Sequence, residues 1–71
     1  MPVLGNELRK LRQAAGLTQE ELAFRAGIHR TYVSQLERNQ KSPTLDVLFS
    51  ICKVLTILPS ELIAKVERGG G

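Results

Sequence analysis

Apolar positions along the chain fall in five short groups with helical spacing, and no stretch alternates as a half-buried strand does. Leu4, Leu8, Leu11 and Ala15 recur at four, three and four residues. This repeat predicts a first helix over residues 5–15, opening at Gly5, with Gly16 as its left-handed stop. Thr18 followed by Glu21 is a capping box, in which each side chain accepts a hydrogen bond from the other residue's backbone N–H. It opens a second helix with Leu22, Ala23 and Ala26 on its inner face and Gly27 at its end. A third helix is expected from His29 or Arg30 to Arg38, followed by a polar turn over residues 39–42. Ser42, Pro43 and Thr44 introduce a fourth helix over residues 44–55, with Leu45, Leu48, Ile51, Cys52 and Leu55 facing inward. Pro59 and Ser60 open a fifth, over residues 59–67. The reading is an all-α, compact five-helix bundle in one domain over residues 1–68. Gly69, Gly70 and Gly71 form a flexible tail or the start of a linker.

The second and third helices meet the demands of a tight helical corner. Two helices crossing at a steep angle over a short turn bring their backbones close, so the inner face of the first must be small, as Ala23 is. The chain must reverse quickly, and Gly27 accepts positive φ without a Cβ penalty. Apolar residues must flank the corner on both sides, and Leu22, Ala26, Ile28, Val33 and Leu36 do so.

The third helix carries a continuous polar front. Arg30, Thr31, Ser34, Gln35 and Arg38 lie at i, i+1, i+4, i+5 and i+8 and share one side, while Val33 and Leu36 point away. These side chains supply the donors and acceptors that base-pair edges and phosphates require, so the helix suits a DNA major groove.

Charge supports this reading by its placement more than by its amount. The formal net charge of the 71 residues is +3. Between Arg25 and Lys41 the charged residues are Arg25, Arg30, Arg38 and Lys41 against Glu37 alone. A chain of this length has room for one core and buries only about 60% of its unfolded surface, so association with a second copy would add stability. Cys52 is the single cysteine, which leaves no intrachain disulfide or cysteine-based zinc site, and its apolar surroundings predict a buried thiol. One histidine, one cysteine, no facing carboxylate pair and no glycine-rich phosphate loop leave nothing from which to assemble a catalytic centre. No cofactor and no metal is expected, and no small-molecule ligand is evident. No apolar run approaches the ~20 residues that span a bilayer and no signal peptide is visible, so a cytoplasmic protein without membrane partners is expected.

From Leu8 to Leu62 the sequence resembles the phage-repressor helix-turn-helix family of Cro/cI or XRE type. The resemblance rests on the TQEELA run, the Gly27 corner and the SQLERN segment followed by Ser42 and Pro43. RTYVSQLERN further resembles the controller proteins of restriction–modification operons. The resemblance implies a lambda-repressor-like DNA-binding domain that recognises double-stranded DNA. It implies base reading by Arg30, Thr31 and Gln35 with Ser34 beside them, and it implies that Gln19, at the start of the second helix, binds a phosphate and braces the reading helix. Arg38, Asn39 and Lys41 fall in the loop that follows the sugar–phosphate backbone. Tyr32, on the flank of the reading face, either reaches a phosphate or is half-buried against the turn. The family's usual glycine after the ERN run is absent, which leaves the geometry of that loop open, although Asn39 tolerates left-handed φ. Arg12 and Glu37 match a buried ion pair between the first and third helices. His29 either caps the reading helix or approaches a phosphate.

The fourth and fifth helices hold more apolar residues than one small core can use. Val47, Phe49, Val54, Ile57, Leu58, Ile63 and Val66 all need cover. The expectation is a twofold homodimer centred on Ile57, Leu58 and Ile63, which would place two reading helices about 34 Å apart on a pseudo-palindromic operator. The competing reading is a protein-interaction module of antitoxin or coactivator type with a redirected helix-turn-helix face. Such a module predicts a neutral or acidic third helix, against which the arginines argue.

Overall fold

The first helix begins before the apolar repeat does, because its glycine is an interior residue and not a boundary. The computed structural model describes residues 2–69, and α1 spans Pro2–Ala14. Gly5 is buried inside it. A Cβ built there would lie 2.6 Å from the Glu37 carbonyl oxygen and 2.7 Å from Asn39 Oδ1, and would also strike the Leu36 carbonyl. The glycine therefore marks the place where the backbone of α1 crosses the end of the third helix. Sequence periodicity sees only the missing side chain and reads a start.

The remaining elements are α2 (Gln19–Ala26), α3 (Arg30–Glu37), α4 (Leu45–Val54) and α5 (Pro59–Glu67). Among the described residues there is no strand. Gly70 and Gly71 of the expected tail lie outside the described residues; Gly69 closes α5 with φ 75°.

Each helix stops on a residue with positive φ: Gly16, Gly27, Asn39, Thr56 and Gly69. The closing bonds follow one pattern, in which the next amide reaches back to the last turn. Leu17 N donates to Arg12 O at 3.1 Å, Ile28 N to Ala23 O at 3.0 Å, Gln40 N to Gln35 O at 2.9 Å and Ile57 N to Cys52 O at 3.0 Å. At the opposite ends, Glu21 N donates to Thr18 Oγ1 at 3.0 Å and Thr18 N to Glu21 Oε1 at 2.9 Å, completing the expected capping box. Val47 N donates to Thr44 Oγ1 at 3.2 Å. In α5, Pro59 needs no N–H partner, and Leu58 N donates to Glu61 Oε1 at 3.2 Å.

The core gathers Leu8 from α1, Leu22 and Ala23 from α2, and Val33 and Leu36 from α3. Leu48, Ile51 and Cys52 from α4, with Leu55 and Leu62, complete it. Burial pushes the Cys52 thiol above its ordinary pKa. One inward assignment fails. Leu45 is 73% exposed, because the apolar stripe of α4 runs past its neighbours at the first turn, and Phe49 beside it is 57% exposed. Val47 and Val54 pack against the core, and Val66 is buried. α3 packs on α1 and α2, while α5 packs on α1 and α4 and bends 105° from α4. Among the described residues, no single helix is long and apolar enough to cross a membrane.

Candidate nucleic-acid interface

A buried ion pair sets the two helices of the corner against α1. Arg12 Nε donates to Glu37 Oε2 at 2.6 Å, and Arg12 Nη2 donates to Glu37 Oε1 at 3.0 Å. The remaining guanidinium nitrogen, Nη1, donates to the Leu17 carbonyl at 2.8 Å, just ahead of the α2 cap. Both side chains are largely withdrawn from water, at 11% and 3% exposure. The two-pronged geometry satisfies the carboxylate where water cannot reach it.

Glu37 also receives Gln19. Its Oε1 accepts from Gln19 Nε2 at 3.1 Å, so Gln19 touches the third helix as the family resemblance implies. Gln19, expected to hold a phosphate, is thus a half-buried side chain fixed from behind by the third helix. It shares a shallow open cleft with Arg12, Thr18, Glu20 and Arg30. The cleft joins the beginnings of α2 and α3. Beside it, hydrogen bonds from the Thr18 backbone and hydroxyl hold the Glu21 carboxyl below its ordinary pKa.

The expected base-reading residues lie together on α3. Arg30 and Thr31 are exposed in its first turn, and Ser34 and Gln35 are half-exposed one turn later. Val33, Leu36 and Glu37 form the buried back. His29 is the cap: its Nδ1 accepts from Thr31 N at 3.1 Å. Tyr32 takes the inward of its two expected places, half-buried against the core.

The loop after α3 departs from expectation at one residue. Arg38 and Lys41 are exposed, with Arg38 Nε donating to Ser34 O at 3.4 Å. Asn39 adopts φ 59°, the left-handed conformation that its residue type tolerates. Its side chain turns toward α1: Gly5 N donates to Asn39 Oδ1 at 2.9 Å, and Asn39 Nδ2 donates to Asn6 Oδ1 at 3.4 Å. The sequence signal was present, in an αL-tolerant residue whose side chain carries both an acceptor and a donor.

Of the expected dimer residues, Leu58 and Ile63 are exposed at 62% and 41%, whereas Ile57 is half-buried on the core. Phe24 on α2, which sequence reasoning did not single out, is the most exposed large apolar side chain among the described residues, at 87%.

Comparison with known proteins places this geometry. The family profile described as helix-turn-helix matches residues 8–62. The control protein C.BamHI of Bacillus amyloliquefaciens is 36% identical over 62 residues, covering 86% of this chain and 76% of that protein. Among solved structures, the restriction–modification controller protein C.AhdI from Aeromonas hydrophila superposes with a TM-score of 0.83 at 43% identity. That match covers 86% of this chain and 92% of the controller. The biofilm regulator SinR, crystallised in complex with DNA, gives a TM-score of 0.81 at 30% identity over 84% of this chain and 97% of that one.

Proposed function

The chain belongs to the XRE-type helix-turn-helix family, and from that premise we propose that it regulates transcription by laying α3 in the major groove of an inverted-repeat operator as a homodimer. The observation that carries this is the front of α3. Arg30 and Thr31 stand exposed at its first turn, Ser34 and Gln35 follow one turn on, and the helix is held from behind by Val33, Leu36 and Glu37. A rigid helix with such a face can offer Arg30 to guanine O6 and N7, Gln35 to adenine, and Thr31 to a thymine methyl, with Ser34 alongside. SinR, of similar fold, was crystallised in complex with DNA.

In this reading Gln19 binds a phosphate beside the start of α2, where free N–H groups and the helix dipole favour an anion. Arg38, Lys41 and the backbone of the loop follow the next phosphates. Asn39 contributes through that backbone, since its Oδ1 is occupied by Gly5 N. Tyr32, packed inward, supports the helix and offers its hydroxyl at the margin. The dimer forms over the exposed apolar residues of α5 and its cap, Leu58 and Ile63, together with half-buried Ile57, with Leu45 and Phe49 of α4 as further uncovered surface. The regulator acts in the cytoplasm. Its likeness to C.AhdI and C.BamHI favours a controller role, adjusted by protein concentration.

The test is selection of bound sites from a random duplex pool at two salt concentrations. An enriched inverted repeat with half-sites about one turn apart is expected. Arg30→Ala should then cost about 1–3 kcal/mol and relax preference at one base position, whereas Lys41→Ala should weaken all sequences alike. Weak binding without enrichment that vanishes as salt rises would refute sequence-specific recognition. A monomer at high micromolar concentration by light scattering would refute the dimer.

A further inference from the structure

Residues 38–42, between α3 and α4, are all exposed, so no buried side chain anchors the segment. Its tie to the rest of the protein at Asn39 is polar. Asn39 stands at φ 59°, a conformation glycine adopts at no steric cost and other residues adopt at some. Glycine in its place could make neither of the two side-chain bonds seen here. Asn39 Oδ1 accepts from Gly5 N at 2.9 Å across 34 residues of chain, and Nδ2 donates to Asn6 Oδ1 at 3.4 Å. Two bonds to consecutive residues of α1 set both the position and the flip of the amide. The approach depends in turn on Gly5, whose absent Cβ would sit 2.7 Å from Asn39 Oδ1. On either side of Asn39 are the exposed cations Arg38 and Lys41.

We propose that Asn39 is a positioning residue, which latches the α3–α4 loop to the first turns of α1 and so holds Arg38 and Lys41 ready for the DNA backbone. The inference rests on the DNA-binding reading above and adds to it the group that orders its phosphate-binding loop. A loop ordered before the encounter loses less conformational entropy on binding, and the latch acts through that saving. It carries no sequence information, so its effect is the same for every DNA sequence.

The test substitutes Asn39→Gly, which keeps the left-handed backbone and removes both bonds, in wild type and in an Arg38→Ala/Lys41→Ala background. Affinity is measured for the selected operator and for a scrambled duplex over a salt series. Circular dichroism and exchange of the Gly5 amide report the fold and the latch. In wild type, Asn39→Gly should leave the helical content unchanged, speed Gly5 exchange and weaken both duplexes by about three- to tenfold. The salt slope should become shallower by up to about one unit, as a phosphate contact is lost. In the background lacking both cations the same substitution should have almost no effect on binding. An equal loss in both backgrounds, or an unchanged salt slope, would mean that Asn39 serves stability alone and would overturn the proposal. Undiminished affinity in wild type overturns it as well. Failure of the unmodified protein to bind any duplex is a separate result, which removes the DNA-binding reading and the latch with it.

Discussion

Replacing Gly5 by alanine puts two opposing effects at one position, and the structure decides the sign. Gly5 lies within α1, where intrinsic helix propensity favours alanine by about 1 kcal/mol. Against this, the new Cβ would lie 2.6 Å from the Glu37 carbonyl oxygen, about 0.8 Å inside the 3.4 Å at which ordinary contact begins. The obstacles include two backbone carbonyls, those of Leu36 and Glu37, which cannot rotate aside as a side chain could. Relief requires α1 and the end of α3 to part. That costs about 1–3 kcal/mol for the disturbed packing, and stretching the bond from Gly5 N to Asn39 Oδ1 removes about 0.5–1.5 kcal/mol more. After the propensity gain is subtracted, a net loss of about 2 kcal/mol is expected. For a domain of this size each kcal/mol moves Tm by about 4–8 °C, so Tm should fall by about 8–16 °C. Thermal unfolding followed by circular dichroism, at one fixed protein concentration, measures it. A Tm equal to or above that of the wild type would show that α1 does not cross α3 in backbone contact, and the explanation for its early start would fall.

Three further substitutions probe separate parts of the fold. Arg12→Ala leaves the Glu37 carboxylate, only 4% exposed, without its cation, and should cost about 3–5 kcal/mol in urea unfolding; a loss under 1 kcal/mol would contradict a desolvated pair. Thr56→Gly relieves a β-branched residue held at φ 54° and should stabilise by about 1 kcal/mol after glycine's own entropic cost, so a lower urea midpoint would count against strain there. Glu21→Ala tests pH dependence. Because the folded pKa of Glu21 is depressed below 4.5, its contribution is complete above pH 4.5 and disappears as pH falls through the folded value. The Tm difference between wild type and variant should therefore shrink on acidification below 4.5, and a difference that grows would reverse the assigned shift.

What could be read from the sequence was whatever neighbouring residues decide among themselves. Thr18 and Glu21 cap α2 as their spacing predicts, Gly16 and Gly27 take left-handed φ, and the exposed front of α3 follows from helical periodicity. The Arg12–Glu37 pair lies 25 residues apart and was reached only through family resemblance. The features that escaped all depend on distant partners. Gly5 looked like a boundary because its purpose is a carbonyl on another helix. Leu45 fits the inward stripe of α4 and is exposed because nothing lies over that turn. Asn39 was read as a phosphate contact, yet its side chain bonds Gly5 and Asn6 of α1, an element that periodicity does not place beside it.

Cys52 gives the molecule an internal clock for its own opening. The thiol is 1% exposed, belongs to the central cluster and has no second cysteine to pair with. A reagent that modifies thiolates can reach it only after the helices around it separate, and the raised pKa keeps it unreactive until then. The labelling rate at limiting exposure is therefore the intrinsic thiol rate multiplied by the fraction of molecules momentarily open. Any partner that binds only the closed form lowers that fraction by mass action, so one label at a natural position reports both the free energy of opening and the binding that opposes it.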